Sequence, residues 1–544
     1  MANITISPTN PHERILSAKR ITRIVFIGLL LDILSFTIIL PLLPRSLEAY
    51  KAREGSDPTT LLGSALRWVG VLRECILRNS HDGAAGLLSP SPSRFLQQGA
   101  RADMVLLGGL LGSLYSLLQC VVAPVIGRAA DRFGRRRTLM VCMGGNILWT
   151  VVWIFAGSFE TFLVARIIAG LSEGNVQLSN TIIADVTDPQ TRSHGMALVG
   201  IAFAVGFTLG PSIGAYFAQL SPDFLLVQSQ APSAASVLEY APFAMAAVFS
   251  LALLVVECGY LFVRLPETLH YVARSTSGGN ARQKAAAAAA PAAPNSPHAL
   301  LRRLNYLHFA YLFFFSGMEY TLTFLTHDKF GFTNAQQGRL LGFIGIASTL
   351  IQGGYVRRVK RKSQGEPMPD GQKKLRTQAR TRDKALVSQG MVGCAAGLFC
   401  IALCCIRTDQ TKHGAASAAA QRWLWAGALG LALASATVVN CLNSLVSLVA
   451  NTTGSSGSDI GRRLGDFRSA GQIGRALGPM FACSVYWLSG ASTCYMVGSV
   501  AVLLVSLVFI ATVPAVLAPS TTPSSRALDA AGALEKDVIS KKHN

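Results

Sequence analysis

The sequence predicts an all-α membrane protein of twelve transmembrane helices arranged as two six-helix bundles. Three observations predict it. Apolar runs long enough to cross a bilayer recur along all 544 residues. Only 14% of residues are charged, 51% are hydrophobic, and the mean hydropathy is +0.40. The basic residues gather on alternate connections between the apolar runs. A net charge of +21 would otherwise point to an acidic partner. A soluble nucleic-acid binder spreads its charges over its whole surface, whereas these are sparse and confined to the breaks. Nucleic acid is thereby excluded as a partner, and the lipid bilayer is expected instead.

Residues 1–21 form a polar tail without the apolar core of a cleaved signal, so the first span is expected to act as an uncleaved anchor. The apolar runs of the first bundle, 22–264, fall near 22–44, 104–127, 138–157, 159–182, 194–218 and 243–264. A linker follows at 265–303, whose AAAAAA and PAAPNSP read as disordered. The second bundle, 304–515, has runs near 304–326, 338–356, 384–406, 422–449, 469–489 and 491–515, and a polar tail fills 516–544.

Charge gives the orientation. Lys19, Arg20 and Arg23 stand at the start of the first span, and GRAADRFGRRR between spans 2 and 3 carries five arginines. The linker, the very basic loop 357–383, and the 10–11 connection with Arg462, Arg463 and Arg468 continue the pattern. Connections 3–4, 5–6 and 11–12 hold almost no Lys or Arg. This positive-inside distribution places both termini, these four basic connections and the 4–5 connection in the cytosol. The long loop 45–103 is basic yet lies on the other side, as long loops escape the rule. Within it, TLLGSALRWVGVLREC reads as a short surface helix.

The halves echo each other. GFTLGPSIG in span 5 and GRALGPM in span 11 share G-x-x-x-G-P at equivalent positions, the mark of a duplication. Gly206, Gly210, Pro211 and Gly214 allow close helix contact and a bend, suited to a seal or pivot.

Charges inside spans carry the functional reading. Asp32, about ten residues into span 1, is costly in hydrocarbon and is expected to face the interior as a proton or cation site. The competing role is a structural carboxylate paired to an interior arginine. Arg166 and Glu173 lie seven residues apart in span 4, on one face if the helix is continuous. Glu319 and Arg475 are the buried-charge candidates of the second half. Asn180, Tyr320, Gln352, Asn440 and Asn443 are candidates to hydrogen-bond a solute in a central cavity, or to act as helix–helix glue. No phosphate-binding loop, Ser-His-Asp set or metal constellation is visible, so neither an enzyme nor a cofactor is expected. The eleven scattered cysteines read as small apolar packers.

GRAADRFGRRR resembles the signature of the major facilitator superfamily between spans 2 and 3, at Gly127, Asp131, Arg132, Gly134, Arg135 and Arg136. The span 5 pattern ending G-x-x-x-G-P-x-x-G is similar to that of proton-coupled exporters, and LLD…PLLP at Asp32, Pro41 and Pro44 resembles tetracycline exporters. LPETL at 265–269 is a further phrase of the family. FSGMEYTLTFLTHDKF and QQGRLLGFIGIASTLIQGGYVRR resemble the eukaryotic tetracycline-transporter-like branch of organic anion antiporters. The resemblance implies the major facilitator fold, a central cavity between two rocking bundles, and an interdomain latch that includes Asp131. A second copy of the signature is missing, because GGYVRRVKRK lacks the D-R-x-G core.

The leading expectation is a monomeric secondary transporter that moves a small organic solute, drug-like or anionic, in exchange for protons. Asp32, with Glu173 or Glu319, would carry the proton. The alternatives are a uniporter or symporter of another metabolite, and a non-transporting receptor or scaffold that docks partners on the basic loop.

Overall fold

The computed structural model describes residues 11–39, 42–55, 57–68, 70–71, 99–217, 243–269, 297–332, 334–356, 358–359, 371–410, 418–450 and 460–514. Much of the 45–103 loop, of the 265–303 linker, of the 357–383 loop and of both tails lies outside these residues. Among the described residues the secondary structure is helical throughout. The first half contains α1 (Pro11–Ile38), α2 (Leu43–Glu54), α3 (Gly99–Phe133), α4 (Arg135–Ile154), α5 (Phe159–Ser172), α6 (Asn175–Val186), α7 (Pro189–Phe217) and α8 (Ala244–Arg264). The second half contains α9 (Pro297–Phe330), α10 (Asn334–Leu350), α11 (Gly371–Gln410), α12 (Ala418–Ala450), α13 (Ile460–Ser489) and α14 (Ala491–Thr512). A π-helical turn, Ile351–Val356, continues α10.

Eight helices are long and apolar enough to span a bilayer by length and composition: α1, α3, α4, α7, α8, α11, α12 and α14. The other four predicted spans depart from that standard for visible reasons. Span 4 is split into α5 and α6. Span 8 has 17 residues before its π turn. Spans 7 and 11, α9 and α13, carry the polar and charged residues of the site described below. The apolar spans turn apolar side chains outward: Val141 of α4 and Val263 of α8 are each 76% exposed, the signature of a lipid-facing surface.

Several helices overrun the apolar runs at their basic ends. α3 continues to Phe133, α11 begins at Gly371 and α13 at Ile460. Arg462, Arg463 and Arg468, expected in a connection, therefore lie on a helix. Polar residues at these ends keep helical hydrogen bonding beyond the apolar band, which hydropathy does not report.

The duplication seen in GxxxGP has a packing meaning. In α7, a Cβ on Gly206, Gly210 or Gly214 would strike Ile33, Thr37 or Ile38 of α1. In α13, a Cβ on Gly474 would sit 2.6 Å from the Phe309 carbonyl of α9, and Gly478 abuts Phe313. The fifth span of each half thus beds on the first, inside its own half. A second backbone-to-backbone crossing joins α11 to α12. Cβ atoms on Gly397 and Gly430 would lie 2.8 Å from Gly427 O and 2.6 Å from Gly393 O. Between the halves, α3 lies along α13, while α7 meets α10 and α12.

The first part of the 45–103 loop is docked. Tyr50 on α2 is fully buried and donates its hydroxyl to Ala156 O at 2.6 Å. Glu54 accepts from Phe159 N at 3.1 Å, placing a carboxylate at the positive end of α5. Arg53 donates to Gly157 O at 3.3 Å. Residues 61–68 are helical and carry Trp68 outward. Between the two helices, the Thr59 hydroxyl and then its backbone N–H donate to Asp57, holding that carboxyl below its usual range. This docking lies at the α4–α5 turn, on the face opposite GRAADRFGRRR.

Candidate functional site

The GRAADRFGRRR turn is a three-way electrostatic knot. Gly134 stands between α3 and α4 at φ 102°, and a Cβ there would lie 2.5 Å from Glu267 Oε2, so both conformation and space require glycine. Arg135 is 0% exposed. Its guanidinium pairs with Asp131 on α3 and, at 2.9 Å, with Asp185 on α6. The carboxylate of Glu267, in LPETL, accepts the Arg135 N–H at 2.8 Å and the Arg136 N–H at 3.1 Å. It fills the N-terminus of α4, where backbone donors have no helical partner. Arg136 donates to Phe262 O and lies over the Phe262 ring, while Arg132 is exposed beside Phe133.

Asp131 also reaches across the molecule. Oδ1 accepts from Gly461 N at 3.1 Å and Oδ2 from Arg462 N at 2.8 Å, so one carboxylate caps the first turn of α13 in the other half. Close packing continues upward from this cap. A Cβ on Gly127 would meet Gly461 O, and one on Gly465 would lie 2.6 Å from Ala123 O. Gln177 of α6 donates to Ala123 O at 3.0 Å. The halves are therefore shut against each other on the face that carries the basic turns.

The missing second signature has a structural counterpart. At the start of α11, the third span of the second half, Arg380 donates to Leu448 O at 3.3 Å, and Asp383 accepts from Ser444 at 2.6 Å. Both partners belong to α12, the fourth span, as Asp185 belongs to the fourth span of the first half. Across the halves, buried Arg192 of α7 donates to Ser447 O at 3.3 Å and to Ala184 O at 2.7 Å. An arginine on a carbonyl at the end of α12 thus does what Asp131 does on N–H groups at the start of α13.

Deeper lie the acids. Asp32 is 4% exposed and accepts from Asn175 Nδ2 at 2.7 Å and Asn146 Nδ2 at 3.5 Å. Amide donors, rather than an arginine, hold it. The helix of span 4 stops at Ser172 and restarts at Asn175, with Glu173 at φ −72°, ψ 86°. Arg166 and Glu173 are consequently not on one continuous helical face. Tyr115 of α3 joins them: its ring lies 4.9 Å under the Arg166 guanidinium and its hydroxyl donates to Glu173 at 3.4 Å. Arg166 is buried, with Nε and Nη1 lacking a hydrogen bond.

From the second half, Arg468 of α13 enters this group. It lies 3.7 Å from Glu173 and donates to Gln119 Oε1 at 3.3 Å. One turn pair further along α13, Arg475 lies 3.9 Å from Glu319 of α9. Exposure grades along this line. The Arg468 and Glu173 side chains are 17% and 11% exposed, those of Arg475 and Glu319 43% and 49%. The cleft between the halves opens away from the basic face.

The remaining candidates disperse. Tyr320 points at α3, where a Cβ on Gly109 would lie 3.5 Å from its hydroxyl, and its ring meets Phe324 edge-on. Gln352 and Asn440 meet at Gly200 of α7, leaving no room for a side chain there. Asn180 is buried with Oδ1 unpartnered, and Asn443 is half-buried. Arg468 is expected from sequence as a loop charge and Glu267 only as part of LPETL, so neither is among the site candidates. Arg468 sits seven residues before Arg475, a spacing that would have flagged it had α13 been extended.

Comparison with known proteins fits this arrangement. Residues 25–456 match the Major Facilitator Superfamily. The mouse major facilitator superfamily domain-containing protein 10 is 35% identical over 502 residues, covering 90% of this chain and 92% of its own. The class E tetracycline resistance protein of Escherichia coli matches locally, at 34% identity over 113 residues, 21% of this chain and 28% of that one. The crystal structure of the human organic anion transporter MFSD10 (TETRAN) superposes with a TM-score of 0.66 at 33% identity, covering 90% of this chain and 99% of that one.

Proposed function

Since the chain belongs to the Major Facilitator Superfamily and is therefore a membrane transporter, we propose that it exchanges a small organic anion for protons by alternating access. The observation that carries this reading is the Glu173–Arg468 pair, which bridges the halves in a closed part of the cleft beside Asp32. Protonating Glu173 removes one partner of the bridge. An anion engaging Arg468 removes the other. A contact that either ligand opens, and that reforms when neither is bound, lets each ligand cross alone, which is the requirement of exchange.

Arg166, Arg468 and Arg475 supply the positive charge for an anion, and the human structure of the same family is described as that of an organic anion transporter. Tyr320, Gln352, Asn180, Asn440 and Asn443 are assigned to shaping the path. The basic face is assigned to the cytosol, with both termini on it, because four basic connections meet there. On that assignment the cytosolic side is shut. Asp131, Arg135 and Arg192 form the latch, and a single chain holds all the parts.

In proteoliposomes, Asp32→Asn is expected to insert at the wild-type level and to lose uptake driven by a pH gradient about 10-fold or more, the scale of a coupling energy. The assay uses a panel of organic anions and cations with and without the gradient. Wild-type gradient-driven uptake by this variant would remove Asp32 from the proton site. Flux indifferent to pH would replace exchange by uniport, and co-directional acidification would replace it by symport.

A further inference from the structure

Resting on the proton-exchange reading above, we propose that Glu257 is a second proton-binding site, set apart from the cleft, through which Asp32 exchanges protons with the basic face. The problem it solves is access. Asp32 is 4% exposed and the cleft is shut on the basic side by the α3–α13 contact. A proton moving between Asp32 and that face needs another route.

Glu257 supplies it. The residue lies on α8, seven positions before Arg264 at the basic end, or about 10 Å along the axis. Its neighbours Val255 and Val256 face outward, while Glu257 is 1% exposed and faces in. It lines a narrow pocket inside the first half, between α1, α4, α6 and α8, together with Asn175, Ser179, Leu139 and Leu29. No residue of the second half lines this pocket. Two buried polar atoms of the pocket residues lack a hydrogen bond: Glu257 Oε2 and Asn175 Oδ1.

Those two atoms complement each other only if the carboxyl carries a proton. Two bare acceptors repel, whereas a protonated Glu257 donates to Asn175 Oδ1. Asn175 already donates its Nδ2 to Asp32, so the same amide links both acids. The titratable groups acting on Glu257 are Asp32 on α1, Glu173 between α5 and α6, and Cys258 on its own helix. Among the described residues, no lysine, arginine or histidine joins them. A charged acid in a membrane interior is costly and marks a functional site. The step is a proton transfer between carboxyls: Glu257 loses a proton as Asp32 gains one, and a hydronium from the basic face reloads Glu257.

The test compares Glu257→Gln with Asp32→Asn in proteoliposomes. Glutamine keeps the shape and still donates to Asn175 Oδ1, so Glu257→Gln is expected to keep counterflow without a pH gradient. Gradient-driven uptake should fall about 10-fold. Wild-type gradient-driven uptake by Glu257→Gln, with coupling lost in Asp32→Asn, overturns this inference and leaves the exchange reading standing. Coupling retained by both variants overturns both. The wild-type protein gives a second readout that needs no variant. Dicyclohexylcarbodiimide, an apolar reagent for protonated carboxyls, should label Glu257 as read by peptide mass spectrometry, with labelling that declines as pH rises. No labelling across the pH range likewise overturns the proposal.

Discussion

Replacing Arg135 by alanine is expected to prevent the protein from reaching a stable fold. The guanidinium is shared by Asp131 and Asp185, and it is wholly buried. Its removal leaves two carboxylates facing each other inside the protein, a loss on the order of 3–5 kcal/mol for a broken buried pair. That is a large part of the roughly 5–15 kcal/mol that separates folded from unfolded chains. Fluorescence-detected size exclusion of a tagged Arg135→Ala variant should show aggregate in place of a monodisperse peak. Arg135→Lys should recover only part of it, because one ammonium cannot reproduce a fork that meets two acids. A monodisperse Arg135→Ala protein with wild-type thermal stability would refute the assignment.

Gly127→Val is expected to do something different: to fold, insert and fail to transport. Its Cβ would meet Gly461 O on α13, a backbone atom that cannot rotate away. The halves would be wedged apart on the basic face and Asp131 drawn off the Gly461 and Arg462 N–H groups. Hydrogen–deuterium exchange at the start of α13 should quicken, and transport should fall at least about 10-fold. Wild-type protection of residues 461–462 together with wild-type transport would exclude this closure as part of the cycle.

The sequence told the architecture and the basic latch more fully than the site. Spans were legible because lipid-facing surfaces such as Val141 and Val263 must be apolar. The Asp131–Arg135 pair was legible because one turn separates the two residues. Arg468 was read as a loop charge because hydropathy ends a helix where arginines begin, while α13 runs two turns further. The break at Glu173–Gly174 was hidden in an apolar run, and with it the geometry that brings Tyr115 between Arg166 and Glu173. Asp32 announced itself as an acid in hydrocarbon, but its amide partners, Asn146 and Asn175, come from two other helices. Glu257 carries the same signal as Asp32, a single acid in an apolar run, and only the shared pocket gives it a role. Pairings across helices follow from packing, and no local pattern encodes them.

The glycine crossing of α11 and α12 bears on how the halves move. At Gly397 and Gly430 the two backbones touch with no layer of side chains between them, flanked by Leu433 against Gly393 and Ile401 against Gly427. Rotamer changes therefore offer no slack there, and sliding one helix past the other would drive carbonyls into Cα atoms. These two long helices behave as a single beam, with α12 presenting one edge to α7. A beam transmits a tilt undiminished along its length. A tilt imposed at Ser447, where Arg192 of α7 holds the end of α12, is therefore expected to reach the far end of α12, near Trp425, without any bend in the helix itself.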